Sequence, residues 1–234
     1  MTNPTASDQD LAAQVATAYL RRPLQAVAPI TGKGSVNLIF TAHARDAAVL
    51  VRMSKPEDGA RALLFYEKEA WCLAQAAAAG IPGPQVLEIG RWDGRPYMLQ
   101  TLVEGVNGED SGSDEAHIWH VLGQYARRIH TIPIDGFGES LADFHRGNAQ
   151  AEWHAYVDYN LRSLTPDDAL LRLHVYRPEQ VEEIRHVFQT LRATPVRIGL
   201  NHYDLALRNT LVDATGQVTL LDWGSADAHV VPHY

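Results

Sequence analysis

Cysteine is almost missing from this chain: Cys72 is the only one in 234 residues. No intramolecular disulfide can form, which suits a reducing cytoplasm and argues against a disulfide-stapled secreted domain. Long apolar runs are missing too. No stretch approaches the roughly 20 residues a membrane-spanning helix needs. The opening residues, Met1 to Asp8, lack the basic start and apolar core of a secretory signal. Basic residues are outnumbered, 20 Lys and Arg against 28 Asp and Glu, for a formal net charge of −8. That balance argues against a nucleic-acid partner, whose backbone needs basic patches, and nothing points to a membrane partner. The 11 histidines are scattered, with no His-Glu-x-x-His and no cysteine pairs beside them, so a structural zinc site is not expected.

What is present suits two modest lobes or one large domain. Ser7 and Asp10 resemble a capped helix start ahead of Leu11, Val15, Tyr19 and Leu20. Residues 30–40 read as strand, glycine turn and strand, and 47–53 as a third strand. A long helix is expected over about 56–79, stopped by Gly80-Ile-Pro-Gly-Pro84. Two more strands, 85–90 and 96–103, flank an Arg91-Trp-Asp-Gly94 turn. Residues 104–113, rich in glycine and small polar residues, are the natural linker. Beyond them the pattern turns helical: Ile118, Leu122, Tyr125 and Ile129 mark one apolar face, and Val181, Ile184, Phe188 and Leu191 another. A further helix is expected around 153–161.

The chemistry lies near the end. Asp204 is followed five residues on by Asn209 and thirteen beyond that by Asp222. That is the spacing of a phosphoryl-transfer site. The first carboxylate can accept a substrate hydroxyl proton. The amide oxygen and the last carboxylate can hold magnesium against ATP phosphates, because hard divalent cations prefer oxygen ligands. Residues 210–221 read as two short strands around an Asp-Ala-Thr-Gly turn, and a hairpin of that length returns Asp222 close to Asn209.

On His202–Asn209 with Asp222-Trp223-Gly224, and more loosely over residues 32–226, the chain resembles the aminoglycoside phosphotransferase and choline kinase-like family. The resemblance implies an α+β, two-lobed protein-kinase-like fold. Residues 1–103 would form a nucleotide-binding lobe of antiparallel sheet plus one long helix. Residues 104–234 would form a mainly helical lobe carrying the catalytic hairpin. It further implies that Asp204 is the catalytic base and that His202 braces its loop. Asn209 and Asp222 become the magnesium ligands. Gly32–Asn37 would be the nucleotide loop, with Gly34, Ser35 and Asn37 beside the phosphates; as sequence alone it is equally a tight turn.

Arg52 stands where the fold normally carries a lysine on its third strand, and a guanidinium can serve phosphates as a planar fork. Glu69 is its expected partner, sharing a helix face with Tyr66 and Leu73, while Glu67 on the neighbouring stripe is the rival. Gln100 to Val103, including Leu102, would form the hinge whose backbone reads the adenine edge. ATP is the expected nucleotide, with GTP an alternative. The acceptor would be a hydroxyl of a small molecule. Acidic residues at 104, 109, 110, 114, 115, 152, 158, 167 and 168 suit an amine-bearing acceptor or a merely solvated face. Trp153, Tyr156 and Tyr159 would line an acceptor cleft or form core.

The chain departs from the family pattern at Tyr203, where glycine is usual, at Arg52, and in stopping ten residues after Gly224. The expectation is an incomplete C-lobe, as a fragment, a truncated gene product or a domain that a partner chain completes; the oligomeric state is left open. Rival readings are an inactive nucleotide-binding pseudokinase and a protein kinase. Against the latter, no Ala-Pro-Glu anchor follows Asp222.

Overall fold

A computed structural model describes residues 5–31, 37–55, 58–112 and 114–233. The chain forms two compact units, Met1–Ile129 with His202–Ala226, and His130–Asn201 with Asp227–Tyr234.

In the first unit, helix α1 (Ala6–Leu20) starts two residues earlier than a Ser7 cap would place it. Thr5 is its N-cap and forms a reciprocal capping box with Asp8, so two otherwise orphaned donors are satisfied at once. Five antiparallel strands follow in the sheet order β1-β2-β3-β5-β4. They are β1 (Ala26–Pro29), β2 (Asn37–His43), β3 (Ala48–Ser54), β4 (Val86–Trp92) and β5 (Arg95–Thr101). Strict alternation divides their side chains between two faces. Leu38, Phe40, Val49, Val51, Met53, Tyr97 and Leu99 point one way and close a core with Ala12, Val15 and Ala16 of α1. The other face carries Asn37, Arg52 and Met98, and packs Met98 on Ala62 and Tyr66 of helix α2 (Gly59–Ala78). The β4–β5 hairpin turns on Asp93 and Gly94, both at positive φ (48° and 77°), the two-residue Asp-Gly geometry that matches strand twist.

After β5 the expected linker is more than a linker. Val106 and Asn107 form β6, which pairs with Val212 and Leu211. With β8 (Thr210–Val212) and β9 (Val218–Leu220) they build a three-stranded sheet. This pairing joins residues more than a hundred apart, so no local pattern announces it. Helix α3 (Glu115–Ile129) buries Ile118, Leu122, Tyr125 and Ile129, the face read from its periodicity. Its Tyr125 hydroxyl donates to the Val218 carbonyl at 2.7 Å.

The second unit holds α4 (Leu141–Phe144), α5 (Ala149–Ser163), α6 (Ala169–Arg172) and α7 (Val181–Ala193). Its strands β7 (Arg197–Asn201) and β10 (Asp227–Val231) pair antiparallel, and neither is apparent from periodicity. Phe137, Trp153, Tyr156 and His229 form a ring cluster with centroids 4.8–5.9 Å apart. Trp153 is buried there, whereas Tyr159 is exposed. Helix α7 has no fully buried residue; its apolar stripe is only partly covered. No described helix is long and apolar enough to cross a membrane.

Candidate active site

The first unit carries the described residues assigned to catalysis, metal and nucleotide, whereas Trp153, Tyr156 and Tyr159, the acceptor-cleft candidates, belong to the second. On β3, Arg52 forms an ion pair with Glu69 of α2, the guanidinium 12% and the carboxylate 3% exposed. Glu67, the rival partner, is exposed. One helix residue corresponds to a rotation of about 100°, so the two glutamates cannot both face the sheet; the face that buries Ala62 and Tyr66 takes Glu69. Burial opposes the Arg52 charge, but Glu69, its hydrogen bond and the more remote Asp222 carboxylate hold its pKa above the ordinary guanidinium value. Tyr66 donates its hydroxyl to Asn37 Oδ1 at 2.8 Å, fixing the first residue of β2 beside this pair. Gly34 and Ser35 of the expected nucleotide loop lie outside the described residues.

Gln100 is buried on β5 opposite Leu50, and its side-chain nitrogen has no hydrogen-bond partner among the described residues. Beyond Thr101 the chain leaves the ladder, and Leu102 to Glu104 are irregular. Thr101 is pinned from the other side, its hydroxyl accepting the Gln85 N–H at 2.9 Å.

The loop after β7 is built around a neutral histidine. His202 is buried, with Nε2 3.1 Å from the Leu221 carbonyl and Nδ1 accepting the Asp204 N–H at 3.3 Å. Those partners define the tautomer: Nε2 carries the proton and Nδ1 accepts. Burial depresses its pKa below the ordinary imidazole value, against the opposing pull of the Leu221 carbonyl, Asp222 and Asp204. Its ring meets Trp223 edge-on, centroids 4.6 Å apart.

Asp204 has both carboxylate oxygens engaged. Oδ1 pairs with Arg208, one helical turn's spacing away, and Oδ2 accepts from Asn209 Nδ2 at 2.8 Å. The same amide donates to the Asp204 main-chain carbonyl, also at 2.8 Å. Having spent its nitrogen on Asp204, the planar Asn209 amide turns its oxygen the other way.

The hairpin β8–β9 then closes its own base, because the Leu221 N–H donates to the Asn209 carbonyl at 2.8 Å. Asp222 therefore follows directly on a residue bonded to Asn209. Its backbone is left-handed, φ 56°, as is that of Tyr203 at φ 60°. A side chain at such a φ is strained, which is the physical reason for a glycine preference at position 203. Asp222 is exposed and Trp223 fully buried, so the backbone twist throws the carboxylate outward while anchoring its neighbour.

Among the described residues no cluster of three or more His, Cys, Asp or Glu could hold a metal. Asn209 and Asp222 are a different kind of set, one amide oxygen and one carboxylate. That suits a small hard cation that keeps its other positions for water and phosphate.

The chain matches a model of the phosphotransferase enzyme family over residues 28–230. It belongs to that family.

Solved structures repeat the family's fold. A thermostable mutant of aminoglycoside phosphotransferase APH(4)-Ia, in ternary complex with AMP-PNP and hygromycin B, is 16% identical; the match covers 96% of this chain and 73% of that one, at a TM-score of 0.63. Spectinomycin phosphotransferase APH(9)-Ia, in complex with ADP and spectinomycin, is 14% identical over 94% of this chain and 69% of that one, at 0.56. Aminoglycoside-3'-phosphotransferase of type VIII is 19% identical over 94% and 78%, at 0.54. No curated protein matches the chain.

Two residues of this phosphotransferase-family chain escape a reading of the sequence. Arg208 could have been found, since it lies four residues from Asp204 inside the motif. Lys68 could not. It sits between Glu67 and Glu69, yet it is buried and donates to the Gly224 and Ala226 carbonyls at 2.9 Å each.

Proposed function

We propose that the chain transfers the γ-phosphoryl group of ATP to a hydroxyl of a small molecule. The observation that carries this reading is the double anchoring of Asp204 by Asn209 at the base of the β8–β9 hairpin, in a chain of the phosphotransferase enzyme family. In phosphoryl transfer the protein mainly positions groups and neutralises charge. Asp204 is the base: it orients the acceptor hydroxyl and takes its proton at a carboxylate oxygen. His202 positions this loop through the Asp204 N–H and the Leu221 carbonyl. Asn209, through its amide oxygen, and Asp222 would hold Mg2+. When bound, that ion neutralises negative charge on the phosphate oxygens.

Arg52, oriented by Glu69, faces the phosphates, and Gly34 and Ser35, together with Asn37 at the start of β2, are assigned to the same phosphates. Gln100 and Leu102 belong to the hinge that receives the base, adenine here and guanine as the alternative. Residues 1–103 act as the nucleotide-binding lobe and 104–234 as the catalytic one. The acceptor carries amines, a choice supported by the aminoglycoside and spectinomycin complexes of similar folds and by the acidic balance of the chain. Several acidic residues are already committed locally: Asp158 pairs with Arg192, and Asp168 caps α6. The single cysteine, buried in α2, suits a cytoplasmic setting.

A second reading has one observation in its favour. Both oxygens of Asp204 are occupied, one by an arginine, as suits a protein that binds nucleotide without turning it over. A screen of hydroxyl acceptors with ATP and Mg2+, set beside a nucleotide thermal-shift assay, separates the two. Transfer to an acceptor supports the kinase, and stabilisation without any transfer supports the binding protein.

A further inference from the structure

Helix α2 buries two opposite charges in consecutive positions, and among the described residues only one of them has an ionic partner. Glu69 turns to Arg52 on the sheet. Lys68, about 100° round the helix, is 4% exposed, and its Nζ meets two main-chain carbonyls, Gly224 and Ala226, at 2.9 Å each. The Phe65 ring lies 5.8 Å from the same nitrogen. Burying an ammonium is costly unless hydrogen bonds replace its water, and a lysine needed only to fill space could be a leucine or methionine. The two carbonyls are not arbitrary. They flank the turn that the Ala226 N–H closes on the Trp223 carbonyl at 3.1 Å, immediately after Asp222.

Asp222 has the left-handed backbone that non-glycine residues avoid, and such strain persists only where the surroundings over-determine it. On its N-terminal side the restraint is the Leu221–Asn209 hydrogen bond. Trp223, buried against His202, is a second anchor. On its C-terminal side the Gly224 N–H reaches Asp222 Oδ1 at 3.4 Å, and Lys68 holds the turn that carries this contact through the Gly224 and Ala226 carbonyls.

We propose that Lys68 is a positioning residue for Asp222: its ammonium clamps the 224–226 carbonyls and so holds the Asp222 carboxylate in the orientation that receives the divalent cation. This inference rests on the reading of Asp222 as a metal ligand. It also makes α2 a shared rod, one residue setting Arg52 and the next setting Asp222. A shift of the helix would move both charges that meet the nucleotide.

The test compares the full chain with Lys68→Met, which removes the donors and keeps the buried stem. The measurement is calorimetric affinity for AMP-PNP with and without Mg2+. The expected result is that metal-free affinity stays within about twofold while the gain on adding Mg2+ falls at least tenfold. A merely structural lysine would lower the melting temperature and leave that gain intact; an intact gain overturns the proposal while the metal-ligand reading of Asp222 stands. A wild-type chain with no gain from Mg2+ overturns both.

Should Lys68→Met fail to fold, the wild-type chain still decides. Its only lysines are Lys33, Lys55 and Lys68, so 15N-lysine labelling gives three side-chain signals. The buried, slowly exchanging ammonium of Lys68 should shift when Mg2+ joins AMP-PNP and not with AMP-PNP alone. A signal indifferent to the metal overturns the proposal.

Discussion

Asn209 donates one side-chain amide to two oxygens of Asp204, the carboxylate Oδ2 and the main-chain carbonyl, each at 2.8 Å. A forked contact of this kind fixes both the position and the rotation of the carboxylate. With the Asp204 N–H tied back to His202 Nδ1, the residue is held at backbone and side chain alike. Such fixing is what a base needs when reach and direction, more than basicity, limit proton transfer.

Replacing Asp204 by Asn keeps the shape and an oxygen for Asn209 but removes the proton acceptor. Turnover should fall by about 10²–10⁴-fold, with nucleotide affinity nearly unchanged. Steady-state kinetics alongside calorimetry checks this, and an equally active Asp204→Asn chain would remove the base assignment.

Asp222 separates stability from function. At φ 56° glycine is at ease and alanine is not, so Asp222→Gly should be more stable than Asp222→Ala by about 1 kcal/mol. Both should lose Mg2+-dependent nucleotide binding. Urea unfolding and calorimetry on the two variants report the separate effects. Metal-dependent affinity surviving in either one would end the ligand role.

The Arg52–Glu69 pair predicts a contrast between neighbours. Glu69→Ala leaves a buried guanidinium without its counter-charge and should cost about 3 kcal/mol. Glu67→Ala, on the exposed stripe, should stay within about 0.5 kcal/mol of wild type. Changing both partners to methionine should recover most of the loss, because the cost lies in the orphaned charge and not in the missing contact. Urea denaturation of the four chains tests this, and equal losses at 67 and 69 would refute it.

Acid should weaken the fold through one buried and two half-buried histidines. His202, His130 and His229 are each depressed below the ordinary 6.5, burial being the leading cause. The unfolded chain then binds more protons than the folded one just below that pH. Their contribution is complete above about pH 6.5 and is lost as pH falls through the window beneath it. The depressed carboxylates, Asp8 and Asp143 among them, act only around and below 3.8. Stability should therefore drop between pH 7 and pH 5.5, and His202→Asn should flatten the slope. A slope of opposite sign in denaturation series at fixed salt would contradict the assignment.

Much of this was legible because it is local. Residues 210–221 carry their own turn, Asp213 accepting the Thr215 and Gln217 N–H groups at 2.8 and 3.0 Å, so the nearness of Asn209 and Asp222 needs nothing from the rest of the chain. The apolar face of α3 and the Asp-Gly hairpin at 93–94 are of the same kind. Other features were not legible. The β7–β10 strands and the Val106–Asn107 pairing join segments far apart in sequence, and neither carries a periodicity long enough to register. The N-cap of α1 was misplaced because Ser7 and Thr5 are both capping residues; only the reciprocal bond with Asp8 distinguishes them.

The chemistry of the motif, then, belongs to the linear order of residues: which oxygens exist, how far apart along the chain, and across what turn. Folding added the direction of each group. It selected Glu69 over Glu67, buried Lys68 against two carbonyls, and twisted Asp222 into the left-handed region so that its carboxylate faces outward above a buried tryptophan. The division has a plain cause. Spacing and turn preference act through neighbouring residues, whereas the rotation of a helix or of a single backbone unit is decided by which distant surfaces it must bury.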